Sequence, residues 1–195
     1  SLDGDNLSIT MKGKPFEVKL SSLSPESQSL ARALARIRSD RKLSAGEVAE
    51  LFGREIGTWK LNGYRQPVGG EREEFEDVME IRWKEKGKSF AGTFSPVING
   101  KEVPFAGTKE YDVETGFFLW REKGEGFPAK VYYECYDLVA KMYHGKSMHP
   151  DGVMEITSFS LFDDNKRIFK KRVFVKGELV FTLHLNSLRE ATTEE

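Results

Sequence analysis

From Gly57-Thr58-Trp59 onward the chain breaks into short alternating segments, and this regular division limits the fold more than any other feature. Turn-forming groups recur at Glu85-Lys86-Gly87, Asn99-Gly100, Glu114-Thr115-Gly116, Gly124-Glu125-Gly126, Asp137-Leu138, Pro150-Asp151-Gly152, Asp163-Asp164-Asn165 and Lys176-Gly177. They leave room for one strand in each gap of roughly 10 to 16 residues. Met79, Ile81 and Trp83 alternate with Glu80, Arg82 and Lys84, and Val103, Phe105 and Tyr111 oppose Glu102, Thr108 and Glu110. Such strands have one dry face and one wet face. The pattern predicts a mainly β fold: a closed, antiparallel, up-and-down barrel of about ten strands between Ile56 and Leu185, since closure removes the sheet edges that invite aggregation.

What precedes the barrel reads differently. Leu7-Ser8-Ile9-Thr10 and Phe16-Glu17-Val18-Lys19-Leu20 alternate around Lys12-Gly13-Lys14-Pro15, which predicts a hairpin. Ser24 before Pro25 starts a helix whose apolar residues Leu30, Leu34 and Ile37 recur at helical spacing over about four turns. Arg38-Ser39-Asp40-Arg41-Lys42 reads as a polar linker, and Ser44-Ala45-Gly46-Glu47 as a capping box opening a second short helix with Val48, Leu51 and Phe52 on its apolar face. The expected organisation is an appendage over residues 1–43, a barrel over 44–189 and a disordered tail over 190–195. The start at Ser1-Leu2-Asp3 falls in mid-pattern, so a segment upstream, a signal peptide being one candidate, is expected to have been removed, which would fit an exported protein.

Composition excludes some partners. With 30 basic and 31 acidic residues the formal net charge is −1, so no global field attracts nucleic acid. The basic run Lys166, Arg167, Lys170, Lys171 and Arg172 is interleaved with Ile168, Phe169, Val173 and Phe174 and reads as a half-exposed strand. No transmembrane segment is evident. The single cysteine, Cys135, lies in a strand-like run and reads as a buried, inert thiol.

The Gly57-Thr58-Trp59 start resembles that of the lipocalin-like barrels of the calycin group, whose first strand carries Gly-x-Trp. Together with Trp83-Lys84-Glu85-Lys86-Gly87-Lys88 and Tyr143-His144-Gly145-Lys146 it looks like a bacterial lipocalin-like domain family of unknown function, over roughly Ile56 to Arg189. That resemblance implies a tryptophan, Trp59 beside Gly57, lying across the barrel base under an arginine from a late strand, either Arg172 or Arg189. Val18-Lys19-Leu20-Ser21-Ser22-Leu23-Ser24, running into the first helix, resembles the second half of an SH3-like homology domain of an endocytic adaptor. Adaptor relatives bind short peptides, so a protein partner through the appendage is one expectation. The first half of that domain has no counterpart here, and no binding residues carry over.

No catalytic set assembles. Asp163-Asp164 sits beside Asn165 in a turn, Ser158 and Ser160 lack a nucleophile elbow, and Gly69-Gly70 joins strands rather than a strand and a helix. His144 and His149 are five apart, a spacing that sends them to opposite faces of a strand, and His184 alternates with Phe181, Leu183 and Leu185. The preferred expectation is therefore non-enzymatic carriage of a small apolar or amphipathic molecule, with no cofactor, on walls formed by Phe90, Phe94, Phe105, Tyr111, Phe117, Leu119, Tyr133 and Met142. A filled barrel acting as an interaction scaffold is the second reading. A third rests on similarity to heme-binding barrels of the nitrobindin type, which would make His184, or next His144, the axial ligand.

Overall fold

The structure is a computed structural model that describes residues 2–11, 14–35, 37, 42–98, 100–149, 151–161 and 163–190. It divides into two compact units, Ser1–Arg38 and Ser39–Glu195. Most of the expected linker and the tail from 191 onward lie outside the described residues.

In the first unit, β1 (Leu2–Asp3), β2 (Asn6–Met11) and β3 (Lys14–Lys19) form an antiparallel sheet in that order, so the expected hairpin gains a short third strand. A 3-10 turn at Leu20–Ser22 leads to α1 (Pro25–Ala35), about three turns long. Asp5 fastens the sheet to that turn by accepting from the Ser21 backbone N–H at 2.8 Å and its hydroxyl at 2.6 Å. These hydrogen bonds lower its pKa, because they favour the charged carboxylate.

The second unit begins with α2 (Ala45–Gly53). Its capping box is complete: the Glu47 N–H donates to the Ser44 hydroxyl at 3.3 Å, and the Ser44 N–H donates to the Glu47 carboxylate at 2.8 Å. Then follow β4 (Gly57–Pro67), β5 (Glu73–Glu85), β6 (Ser89–Phe94), a two-strand excursion of β7 (Val97–Ile98) and β8 (Lys101–Glu102), β9 (Phe105–Asp112), β10 (Phe117–Gly124), β11 (Lys130–Asp137), β12 (Met142–Met148), β13 (Val153–Leu161), β14 (Lys166–Val175) and β15 (Glu178–Arg189). Ten of these strands close into an up-and-down barrel, each antiparallel to the next, with β15 pairing back onto β4. Val103 lies outside β9, because the turn at Gly100 belongs to the excursion rather than to a barrel hairpin.

Helix α2 closes the end of the barrel at which β4 begins, called here the lower end. Its face of Val48, Leu51 and Phe52 is buried in the main apolar cluster with Trp59, Ile81 and Phe118. Phe52 is fully buried and meets Phe90 and Phe118 edge-on, with ring centroids at 5.0 and 5.5 Å. Phe52→Ala would leave a cavity among rigid rings and is expected to cost about 3–5 kcal/mol. Urea unfolding followed by circular dichroism measures this, and a loss below about 1 kcal/mol would show that α2 is not a packed plug.

Candidate functional site

Cross-strand register fixes which residues share the inner face. Trp59, Leu61 and Gly63 point inward on β4, opposite Arg189, Ser187 and Leu185 on β15. The same parity runs through Arg167, Phe169 and Lys171 on β14, Phe159, Thr157 and Glu155 on β13, and Tyr143, Gly145 and Ser147 on β12. It continues through Glu134 and Tyr132 on β11, Phe118 and Trp120 on β10, and Tyr111 and Lys109 on β9.

The lower half of the interior is filled. Trp59, Phe90, Phe118 and Tyr143 are at most 1% exposed. Trp59 donates its indole N–H to the Glu55 carbonyl at 2.9 Å and carries two guanidinium groups, Arg167 at 4.1 Å and Arg189 at 4.7 Å from the ring centroid. Arg189 also donates to the Arg54 carbonyl at 2.7 Å, which ties the last barrel strand to the helix exit. Arg172, the other candidate for the base, lies on the outer face of β14, where Arg167 rather than Arg172 has the inward parity. Burial, opposed by Glu55 and reinforced by Arg189, pushes Arg167 down to about 9, which leaves it charged at neutral pH.

Above the tryptophan lies a buried ionic group. Lys109 contacts Glu55 at 3.2 Å and Glu134 at 2.8 Å, and its ammonium sits 3.9 Å from the Tyr143 ring centroid. Burial disfavours the ammonium, but the two carboxylates outweigh it and raise the Lys109 pKa, so the cation persists. Burial raises Glu134 against the pull of Lys109, and raises Tyr143, whose hydroxyl stays neutral.

The upper half differs. Phe75, Glu122, Lys130, Lys171, Phe181 and Leu183 face inward yet are only half-buried, as expected of walls reached by solvent from the upper end. One wall is charged. Glu155, with a side chain 4% exposed, pairs with Lys130 at 2.8 Å and Lys171 at 3.1 Å and accepts a short hydrogen bond from the Tyr132 hydroxyl. These groups reach one another across β12 because its inward residues at this level, Gly145 and Ser147, are small. A Cβ at Gly145 would lie 2.5 Å from the Thr157 hydroxyl and 2.7 Å from Glu134, and Ser147 stands directly beside Glu155. Burial would raise the Glu155 pKa, but Lys171, Lys130 and the hydrogen bonds outweigh it and bring it down to about 2. Burial, followed by Glu122 and Glu155, lifts Tyr132 well above the ordinary phenol value, so it remains a donor. The tight turn after β12 sets His149 above this cluster, 3.6 Å from Glu155. The other wall is richer in apolar groups: Leu183, Phe181 and Phe75 line it, with the Arg65 guanidinium 4.4 Å from the Phe181 ring centroid, Asp77 at inward parity beside Phe75, and the Trp120 indole below lying over the bare backbone of Gly107.

The expected wall residues divide evenly. Phe90, Phe94, Phe105 and Tyr111 face inward, whereas Phe117, Leu119, Tyr133 and Met142 have the outward parity, as the Phe117–Tyr133 edge contact and the 46% exposure of Tyr133 show. Phe90 and Tyr111 belong to the packed lower half, while Phe94 and Phe105 stack at the upper end. His184 lies outside the barrel, stacked on Tyr64 with centroids at 4.9 Å, and His144 is also on the outer face. Neither imidazole reaches the interior, so the heme reading loses both of its proposed axial ligands. Among the described residues no group of three or more His, Cys, Asp or Glu is placed to hold a metal. No described helix is long and apolar enough to cross a membrane.

The charged wall had not been expected. Its signal in the sequence is charge at inward parity: Glu155 flanked by Met154 and Ile156, and Lys171 on the same face as Phe169 and Val173.

No protein-family model matches the chain, and no curated protein does. Solved structures do. The S-type phycobiliprotein lyase CPES from Guillardia theta is similar with a TM-score of 0.59 at 12% identity, covering 81% of this chain and 98% of the lyase. Rv2717c from M. tuberculosis gives a TM-score of 0.55 at 12% identity, covering 77% of this chain and 100% of Rv2717c. A protein of unknown function of the DUF3598 family from Nostoc punctiforme gives 0.53 at 12% identity, covering 71% of this chain and 48% of its own length. The shared feature is the fold. None of these matches bears out the SH3-like likeness of the appendage.

Glu155 makes stability depend on pH. Its folded pKa of about 2 lies below the ordinary 4.5, so its contribution is full above pH 4.5 and is lost as pH falls toward 2. Over that interval the stability difference between the parent protein and Glu155→Gln is expected to shrink by about 3 kcal/mol. Urea unfolding at stepped pH measures this, and a pH-independent difference would contradict the paired carboxylate.

Proposed function

We propose that this protein binds a small amphipathic molecule, without catalysis, in the upper half of its barrel. The observation that carries this reading is the division of the interior. The lower half is closed by packed rings, while the upper half keeps half-buried inward side chains, with a Lys–Glu–Lys group on one wall and Leu183, Phe181 and Phe75 beside Arg65 and Asp77 on the other. A barrel meant only as a scaffold would fill both halves, because unfilled apolar lining forfeits dispersion contacts. Lipocalin-like barrels commonly place a ligand in such a mouth. The fold shared with a phycobiliprotein lyase supports a small-molecule role, although fold alone does not name the molecule.

The bound molecule's apolar part would lie against Leu183, Phe181 and Phe75, and its polar part would face the Lys130–Glu155–Lys171 group. From Phe181 to Leu185 a strand advances about 13 Å, less along the axis of a tilted barrel, so a short or medium-length molecule fits better than a long acyl chain. A neutral fluorophore, N-phenyl-1-naphthylamine, tests the lumen without reference to charge. It is expected to brighten on saturable binding to the parent protein and to lose at least tenfold in affinity with Leu183→Arg, which replaces an apolar wall residue with a cation. No brightening, or brightening unaffected by Leu183→Arg, would contradict the proposal.

A further inference from the structure

We infer that the upper lumen selects a molecule carrying a single carboxylate, held by Lys130, Lys171 and His149. This rests on the proposed binding in the upper half and names the headgroup. Both oxygens of Glu155 are already engaged: Oε1 by Lys130 at 2.8 Å, and Oε2 by Lys171 at 3.1 Å and by the Tyr132 hydroxyl. The carboxylate therefore positions two ammonium groups whose remaining N–H bonds are open to a ligand, since each ammonium has three donors. The lysine side chains are 16% and 17% exposed, enough for contact from the lumen and too little for full hydration.

His149 is the independent sign of a missing partner. Its side chain is 9% exposed, and its Nε2 is buried without a hydrogen-bond partner, 3.6 Å from Glu155 Oε1 and too far to bond it. A buried polar atom left unpaired costs free energy, and a bound group would remove that cost. A carboxylate bridging the two ammonium groups beneath His149 would accept from all three side chains.

The charge balance selects the headgroup class. Within the bonded group two ammonium groups meet one carboxylate, and Glu122 stands opposite Lys130 as a second anion, so a headgroup of single charge adds the least repulsion. A phosphate monoester, with close to two charges, would leave an excess against the buried Glu155. Glu122, the next acidic group on the inner face, accepts from the Trp120 indole at 2.9 Å rather than from either lysine, so it does not occupy the donors.

Calorimetric titration of the full chain with octanoate, 1-octanol and octyl phosphate, at about pH 8 where the octanoate carboxylate is ionised, separates the possibilities. Octanoate is expected to bind at least tenfold tighter than 1-octanol and than octyl phosphate. Lys171→Met is expected to remove most of the octanoate preference while leaving 1-octanol within about threefold, and Lys171→Arg to retain it. The head-group comparison on the parent protein stands even if Lys171→Met fails to fold. Equal binding of octanoate and 1-octanol would overturn the carboxylate assignment and leave the lumen intact. Tighter octyl phosphate would overturn it in favour of a dianion. Binding of none of the three, together with a silent neutral fluorophore, would overturn the lumen itself.

Discussion

The indole of Trp59 sits where the barrel must close, and the rest of the second unit is organised around it. Trp59 pairs in register with Arg189, the last residue of the last strand, so the seam between β4 and β15 passes through this contact. The two guanidinium groups over the ring and the indole bond to Glu55 link the helix exit, the first strand and both final strands. Each desolvated cation–π contact contributes about 2 kcal/mol, comparable to burying a large apolar side chain. A seam held this way keeps the two ends of the meander together, and the remaining strands need only pair with their chain neighbours.

Placing Arg167 at the base brings a buried positive charge with it, and the ionic group above it follows from that. Glu55 opposes the loss of the Arg167 proton and also pairs with Lys109, which in turn pairs with Glu134. Arg167, Glu55, Lys109 and Glu134 thus alternate in charge up the lower interior, with Arg189 beside Arg167 at the base. Removing any one would leave an unpaired buried charge, a far larger cost than the net worth of an intact pair. This layer divides the interior: aromatic rings fill the space beneath it, and above it Gly145 and Ser147 give up volume that lets Lys130, Tyr132, Glu155 and Lys171 converge.

Features set by local chemistry were legible in the sequence. The capping box at Ser44 and Glu47 satisfies helix amides within one turn, and the glycines after Lys86, Thr115 and Lys176 take up positive φ in the turns where they were expected. Strand count followed from turn spacing, apart from the excursion around Gly100, because two-residue strands leave no periodicity. The wall residues were half legible. Phe117 and Leu119 alternate as cleanly as Phe118 and Trp120, and only pairing with β9 and β11 decides which set faces inward. The charged wall was harder to see. Lys171 reads as one of several basic residues of a half-exposed strand, and Glu155 and Lys130 lie 25 residues apart on strands that do not pair with each other. Their convergence depends on the closed sheet and on the small residues of β12, which no local window contains.

The division of the interior into a filled half and an accessible half is the claim on which the functional reading stands. Single cysteines placed at inward positions of β15, Leu183→Cys in the upper half and Ser187→Cys in the lower, measure it through their rates of reaction with a small methanethiosulfonate reagent, with the buried Cys135 as an internal reference. The thiol at position 183 is expected to react at least a hundredfold faster than the one at 187, which should be as protected as Cys135. Equal protection at both positions would mean that packing extends to the upper end and that the barrel holds no site for a ligand.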